Sequence, residues 1–189
     1  MNKKQRKLMI GSFIALGIVI IVLGTLTLRQ NSLIGRYDYA YGQLKELTGV
    51  GTFGSTHEHA DFLVFVNGKQ IDLTKPEQQE AHTLVHLEEP EITPYLIHKH
   101  ATGVTYGMFF KTVGVELNDC LTINEKEFCD SNGRLVKYYL NGKLAPNLAN
   151  TEITDLDKVL VLYGAETPQE IQTKLSSVGN NACVQSKKC

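Results

Sequence analysis

Residues 8–28 hold no charged side chain, and only Ser12, Thr25 and Thr27 among the clearly polar types. As a helix rising 1.5 Å per residue, such a run spans about 30 Å, the hydrocarbon thickness of a bilayer. Lys3, Lys4, Arg6 and Lys7 precede it with no acid among them. The positive-inside rule therefore predicts a cytoplasmic N-terminus and an extracytoplasmic chain after Arg29. A cleaved signal peptide is the competing reading. It would use an apolar core of roughly 7–15 residues and a small-x-small cleavage site. This run is longer, and Leu26-Thr27-Leu28-Arg29 offers no such site, so an uncleaved anchor is expected.

The expected organisation is a basic tail over 1–7, a transmembrane helix over 8–28, a juxtamembrane helix and Gly-rich linker over 29–55, a folded domain over 56–165, and a C-terminal helix with a Cys-containing tail over 166–189. Once the four N-terminal bases are set aside, 15 of the 19 Lys and Arg face 20 Asp and Glu. A net acidic outer domain disfavours nucleic acid and anionic lipid as partners and favours cations.

Leu33, Ile34, Tyr37, Tyr41, Leu44 and Leu47 recur at helical spacing, and residues 49–55 read as a flexible joint. Ala60, Phe62, Val64 and Val66 then alternate with His59, Asp61, Leu63 and Phe65, a strand pattern. Asn67-Gly68 follows and predicts a type I′ hairpin into 69–73. Short strands are expected at 83–87 and 95–100, separated by Pro90 and Pro94. Thr102 is placed to cap a helix burying Val104, Met108, Phe109 and Val113, with Gly114 as its stop. Residues 120–129, 135–140 and 158–163 read as extended, with a second Asn-Gly turn at Asn141-Gly142. Thr167-Pro168-Gln169-Glu170 is a capping box opening a last helix, whose stripe is Ile171, Leu175 and Val178. The fold class expected is α+β: a mixed sheet packed on one helix.

The runs 135–143 (LVKYYLNGK) and 156–164 (LDKVLVLYG) resemble the closing half of a β-grasp domain. They are similar to the transcobalamin C-terminal-like group, in which a helix precedes a yVNGk strand and a final strand opened by an acidic turn. The resemblance covers residues 102–164. It implies a β-grasp-like fold and carries no function. The His-bearing first half resembles membrane-anchored, His-rich proteins of archaeal type, which implies no activity.

All six histidines fall between His57 and His100. His57 and His59, two apart on a strand, share a face, and Asp61 joins them. His82 and His86 share a face if that segment is extended. His98 and His100 are again two apart. Two imidazoles at i and i+2 can close on one ion, with a third ligand from a neighbouring strand. Imidazole suits Zn and Cu as well as Fe and Ni, and the Asp61 carboxylate widens the choice toward Zn and Fe. The favoured ligands are His57, His59, His98 and His100, with His82 and His86 as a second site or as support. The bland alternative is a set of surface or pH-sensing histidines. Glu88, Glu89 and Glu91 could attract cations or serve as a general base, and the bland alternative is a solvated turn.

Cys120, Cys129, Cys183 and Cys189 all lie beyond the apolar run. Local pairing, Cys120 with Cys129 and Cys183 with Cys189, is expected in an oxidising compartment. Neither pair is Cys-x-x-Cys, which disfavours disulfide exchange. Walker, Gly-x-Ser-x-Gly, dinucleotide and His-Glu-x-x-His motifs are absent from the sequence, and no serine has a sequence-adjacent His to activate it.

The function expected from these residues is a membrane-anchored, extracytoplasmic Cu- or Zn-binding protein for metal delivery, storage or electron transfer. Two alternatives stand beside it. One is a metal-dependent enzyme at the same histidines. The other is a membrane-tethered interaction subunit that docks a membrane-protein partner and holds itself together with disulfides.

Overall fold

The computed structural model describes residues 2–74, 82–88 and 92–189. They form two compact units, one ending at Thr48 and the other spanning Gly49–Cys189. The first is a single helix, α1 (Lys3–Thr48), of 46 residues, about 69 Å long at 1.5 Å per residue. The apolar run and the Leu33–Leu47 stripe are thus one unbroken rod. It is long and apolar enough to cross a membrane. Phe13, Ile21 and Leu28 stand 67–71% exposed on it. The Thr25 and Thr27 hydroxyls donate to the carbonyls of Val22 and Leu23, each at 2.8 Å, so these polar groups are satisfied within the helix, as lipid requires. Gly49 has φ +72°, the left-handed geometry that commonly follows a helix end.

The second unit runs β1 (Glu58–Val66), β2 (Lys69–Gln70), β3 (Val85–Leu87), β4 (Leu96–Lys99), α2 (Tyr106–Thr112), β5 (Val115–Leu117), β6 (Leu121–Ile123), β7 (Lys126–Phe128), β8 (Leu135–Leu140), β9 (Lys143–Leu144), β10 (Lys158–Gly164), α3 (Pro168–Ser177) and α4 (Asn181–Gln185). The main sheet has the order β3-β4-β1-β10-β8-β9, with β2 also paired to β1. Its centre is parallel: Asp61 through Val66 lie beside Lys158 through Tyr163. The neighbours β4 and β8 are antiparallel to β1 and β10 respectively. A smaller antiparallel sheet is β5-β6-β7. The unit is therefore α+β with mixed and antiparallel sheets.

Alternation in β1 does what its pattern predicts on one side. Ala60, Phe62, Val64 and Val66 enter a core with Phe109 and Phe110 of α2 and with Val159 and Val161 of β10. The expectation of a sheet packed on one helix needs correction. Leu63 and Phe65 join Leu160, Leu162, Tyr139 and Val178 in a second cluster, against which Ile171 and Leu175 of α3 pack. The stripe on α3 finds its partner there, and the Lys174 ammonium sits 4.2 Å from the Phe65 ring centroid. Burial on both faces explains why 158–164 is nearly all apolar instead of alternating.

Three further readings change. The cap of α2 is Thr105, whose hydroxyl accepts from the Met108 N–H, and the helix starts at Tyr106. Thr102 instead precedes a turn at Gly103, φ +74°, whose N–H donates to Glu152 Oε1 at 2.6 Å. The buried face of α2 is then Tyr106, Phe109 and Phe110, and Met108 is exposed. Residues 49–55 are fastened to the domain, not a free joint: the Gly51 N–H donates to the Thr102 carbonyl and the Gly54 N–H to the His100 carbonyl, both at 2.8 Å. A Cβ on Gly51 would stand 2.3 Å from Thr102 Oγ1, so glycine permits this approach. The strand after Asn67-Gly68 is two residues long, not five.

The punctuation otherwise forms as read. Asn67-Gly68 and Asn141-Gly142 have positive φ at both positions, the type I′ geometry. The capping box closes, Thr167 Oγ1 accepting from the Glu170 N–H and Glu170 Oε2 from the Thr167 N–H. Cys120 is bonded to Cys129 across the β6–β7 hairpin, and Cys183 to Cys189 around α4.

Phe62 is 1% exposed, with the rings of Phe109 and Phe110 5.3 and 5.5 Å away. Phe62→Ala is expected to destabilise the domain by about 3–5 kcal/mol, measured by urea unfolding of the full chain in detergent through its near-UV circular dichroism. A loss below about 1 kcal/mol would contradict a core centred on β1.

Candidate metal centre

The strand registers place the histidines. In β1 and β4, His59 lies opposite His98. In β3 and β4, His86 lies opposite the same His98. Three adjacent strands thus carry a straight row, His86–His98–His59. One rung along, His100 and His57 extend it, because residues two apart share a face. Ring centroids are 4.6 Å apart for His59 and His98, 5.0 Å for His86 and His98, 4.1 Å for His98 and His100, and 4.7 Å for His57 and His98. Two trios have ligand atoms all within 4.8 Å of one another: His57, His59 and His98, and His86, His98 and His100. His98 belongs to both.

Hydrogen bonds on the outer side of these rings settle which nitrogen is free. The Ser186 hydroxyl donates its only proton to Asp155 Oδ1 at 2.6 Å. Its oxygen, 3.0 Å from His59 Nδ1, can then only accept, so Nδ1 carries the His59 proton and Nε2 keeps a lone pair. His86 Nδ1 lies 3.2 Å from the His82 carbonyl, which also can only accept. His98 Nδ1 meets the Glu88 carboxylate. Three rings therefore each have Nδ1 tied to an acceptor and Nε2 left as a donor of electrons, the arrangement that orients metal-binding imidazoles. His98 Nε2 is buried and has no hydrogen-bond partner among the described residues. A buried polar atom in that condition is costly unless something else binds it.

The sequence-based ligand set is brought together in part. His57, His59, His98 and His100 meet as expected, and His86 joins them. His82 contributes its backbone carbonyl and stands outside both trios. Asp61 is also outside them. Its two oxygens accept the Asn181 and Ala182 N–H groups at the start of α4, each at 3.0 Å. Glu88 supports His98, whereas Glu89 and Glu91 lie outside the described residues. Asp155, Ser186 and Lys188, which donates to Asp155 at 2.7 Å, were not legible as site residues. Their only signal is the acid pair Asp155 and Asp157 just before a buried strand. Ser186, His59 and Asp155 do not form a nucleophilic triad, because the hydroxyl sits between imidazole and carboxylate and gives its proton to the carboxylate.

Clustering depresses the basicity of the rings. Burial, then the neighbouring His100, His59, His86 and His57, push His98 down to about 3. The Glu88 contact acts in the opposite sense, and these effects outweigh it. His59 is lowered by burial first and then by His57, against the pull of Glu88 and Asp155. His100 is lowered by burial, His86 and His57. Neutral imidazole, the ligand form, is thus held at these three positions below the pH where an exposed histidine protonates.

For a base whose folded pKa lies below its unfolded value, the unfolded chain takes up protons first as pH falls. The stability present above about pH 6.5 is then lost on the way toward pH 3. The metal-free chain in chelator is expected to melt progressively lower from pH 7.5 to pH 5, above the range where exposed carboxylates titrate. His98→Gln should flatten that slope. A melting temperature constant over this interval in the parent would contradict the cluster.

No protein-family model matches this chain, and comparison with curated proteins and with solved structures likewise finds no significant match.

Proposed function

We propose that the chain is a single-pass membrane protein whose sheet domain, on the extracytoplasmic side, binds a transition-metal ion through neutral imidazoles. The observation that carries this reading is His98: its Nδ1 is held by Glu88, and its buried Nε2 lacks a hydrogen-bond partner among the described residues while four other rings converge on it. An all-imidazole set suits Zn²⁺ and Cu²⁺. Delivery, storage or electron transfer are the uses such a site fits. The basic residues before the apolar helix and the two disulfides support this topology. The fold we read as β-grasp-like, on the strength of its central parallel pair β1 and β10 flanked by antiparallel neighbours, with α2 across one face.

A second reading, metal-dependent hydrolysis, draws on one observation. Each trio supplies three ligands, and three-ligand sites keep a position for water.

The full chain, purified in detergent without a His tag, should carry Zn or Cu by elemental analysis and bind either ion in titration calorimetry. His98→Gln should weaken binding by roughly 100-fold or more, beyond the 10–100-fold typical of a lost supporting partner. His82→Ala should change it by less than about threefold, within ordinary context effects. If the parent binds neither ion below about millimolar, a level no better than casual surface histidines, the metal reading fails and the interaction-subunit reading replaces it.

A further inference from the structure

Resting on the metal reading above, we infer that the cluster holds one ion at a time and passes it between two three-imidazole sets, with His98 as the ligand common to both. The geometry gives two trios and five rings, yet His98 has one usable lone pair. Its Nδ1 is committed to the Glu88 carboxylate, so only Nε2 can bind an ion, and a nitrogen lone pair bonds one. His98 therefore cannot bridge two ions as a doubly deprotonated ring would. Two divalent charges separated by about one ring spacing in a half-buried site would also repel strongly. The single free lone pair of His98 excludes full occupation of both trios, and the repulsion opposes it further.

The two sets differ in surroundings. His59 is 4% exposed, and its Nδ1 is braced by Ser186 and, through it, Asp155. The C-terminal segment covers His59, while His57 of the same set is exposed. His86 lies on the other side of His98, on the outer strand β3, whereas His100 follows His98 one rung along, just past the end of its strand β4. Ring centroids link His86 and His100 at 5.3 Å. Exchange is a ligand substitution: bonds from the ion to His57 and His59 break as bonds to His86 and His100 form, while the bond to His98 Nε2 persists. All the donors are neutral, so no proton or electron is transferred. An ion can thereby be accepted from one side of the row and released from the other, which is the chemistry of a hand-off and not of sequestration.

The test uses the full chain in detergent with Zn²⁺ alone and Cu²⁺ alone. Calorimetry should give one ion per chain. His57→Ala with His59→Ala, and separately His86→Ala with His100→Ala, should each still bind one ion, weakened by roughly tenfold. Nitrogen hyperfine splitting from bound Cu²⁺ should report imidazole ligands in both double variants. Circular dichroism confirms folding, and if a double variant does not fold, the single changes His57→Gln and His100→Gln make the same comparison. Two ions per parent chain would overturn the shared-ligand inference and leave the metal reading intact. So would a result in which one double variant loses all binding and the other matches the parent, because the site would then be fixed. A parent that binds no ion overturns both.

Discussion

Strand β1 is held from both sides, by six parallel pairings with β10 and by antiparallel pairing of residues 58–61 with β4. Everything at the candidate site depends on that register. A strand has a side-chain period of two, so a slip by one residue would turn His57 and His59 into the core and expel Ala60 and Phe62. The slip is resisted because each face of β1 packs its own cluster, Phe62 and Val64 on one side and Leu63 and Phe65 on the other. Burial of such side chains is worth about 1.5–3 kcal/mol each. The position of the imidazole row is thus set by apolar packing several residues away.

Charge is sorted across the same strands. Lys99 lies between His98 and His100 but points to the opposite face. It is 1% exposed, and its ammonium donates to Glu58 at 2.6 Å, to Glu152 at 2.9 Å and to the Ile153 carbonyl. Only the lysine end is buried, since Glu58 and Glu152 are 24% and 50% exposed, so each pair is worth less than a fully buried one. Its placement keeps a fixed cation away from a site read as binding cations. The turn before β10 divides two acids in the same way. Leu156 adopts φ +70°, a conformation that costs about 1–2 kcal/mol for a side chain with a Cβ. On one side of it Asp155 reaches Ser186 and the His59 N–H. On the other, Asp157 accepts from Tyr106 Oη and Asn141 Nδ2, both at 2.7 Å. The strain is local, and it lets one turn serve the histidine-bearing side and the core side at once.

What the sequence reveals and conceals follows from the range of each interaction. Asn67-Gly68, Asn141-Gly142, the Thr167 capping box and the Cys120–Cys129 pairing are decided by a few neighbouring residues, and they are legible. The pairing of His57 with His59, and of His98 with His100, is legible because the spacing itself encodes a shared face. The role of His86 depends on β3 lying beside β4, a contact between strands that no local pattern specifies. Asp61 has the right spacing for a ligand, but α4, about 120 residues later, takes both of its oxygens with backbone N–H groups. Thr102 has the right chemistry for a cap, and the turn at Gly103 shifts the helix start to Tyr106. Tertiary contacts override local preference in each of these cases, and Ser186 is reached only through them.

The C-terminal segment joins the candidate site to its compartment. Ser186 and Lys188 both lie inside the loop closed by Cys183 and Cys189, and both engage Asp155. An unconstrained tail would have to give up about 1–2 kcal/mol of backbone entropy per residue to hold Ser186 against His59. Closing a short loop by a disulfide removes about 2 kcal/mol of that cost in advance, in the chain-entropy account. The bond persists only where thiols are oxidised. The hold on the His59 ring, with Nδ1 protonated and Nε2 left with its lone pair, is therefore coupled to an oxidising environment through a chain of named contacts: disulfide to tail, tail to Ser186, Ser186 to His59 Nδ1. Four bases stand ahead of the apolar helix and all four cysteines beyond it, an order that under the proposed topology would put this device where it can stay closed.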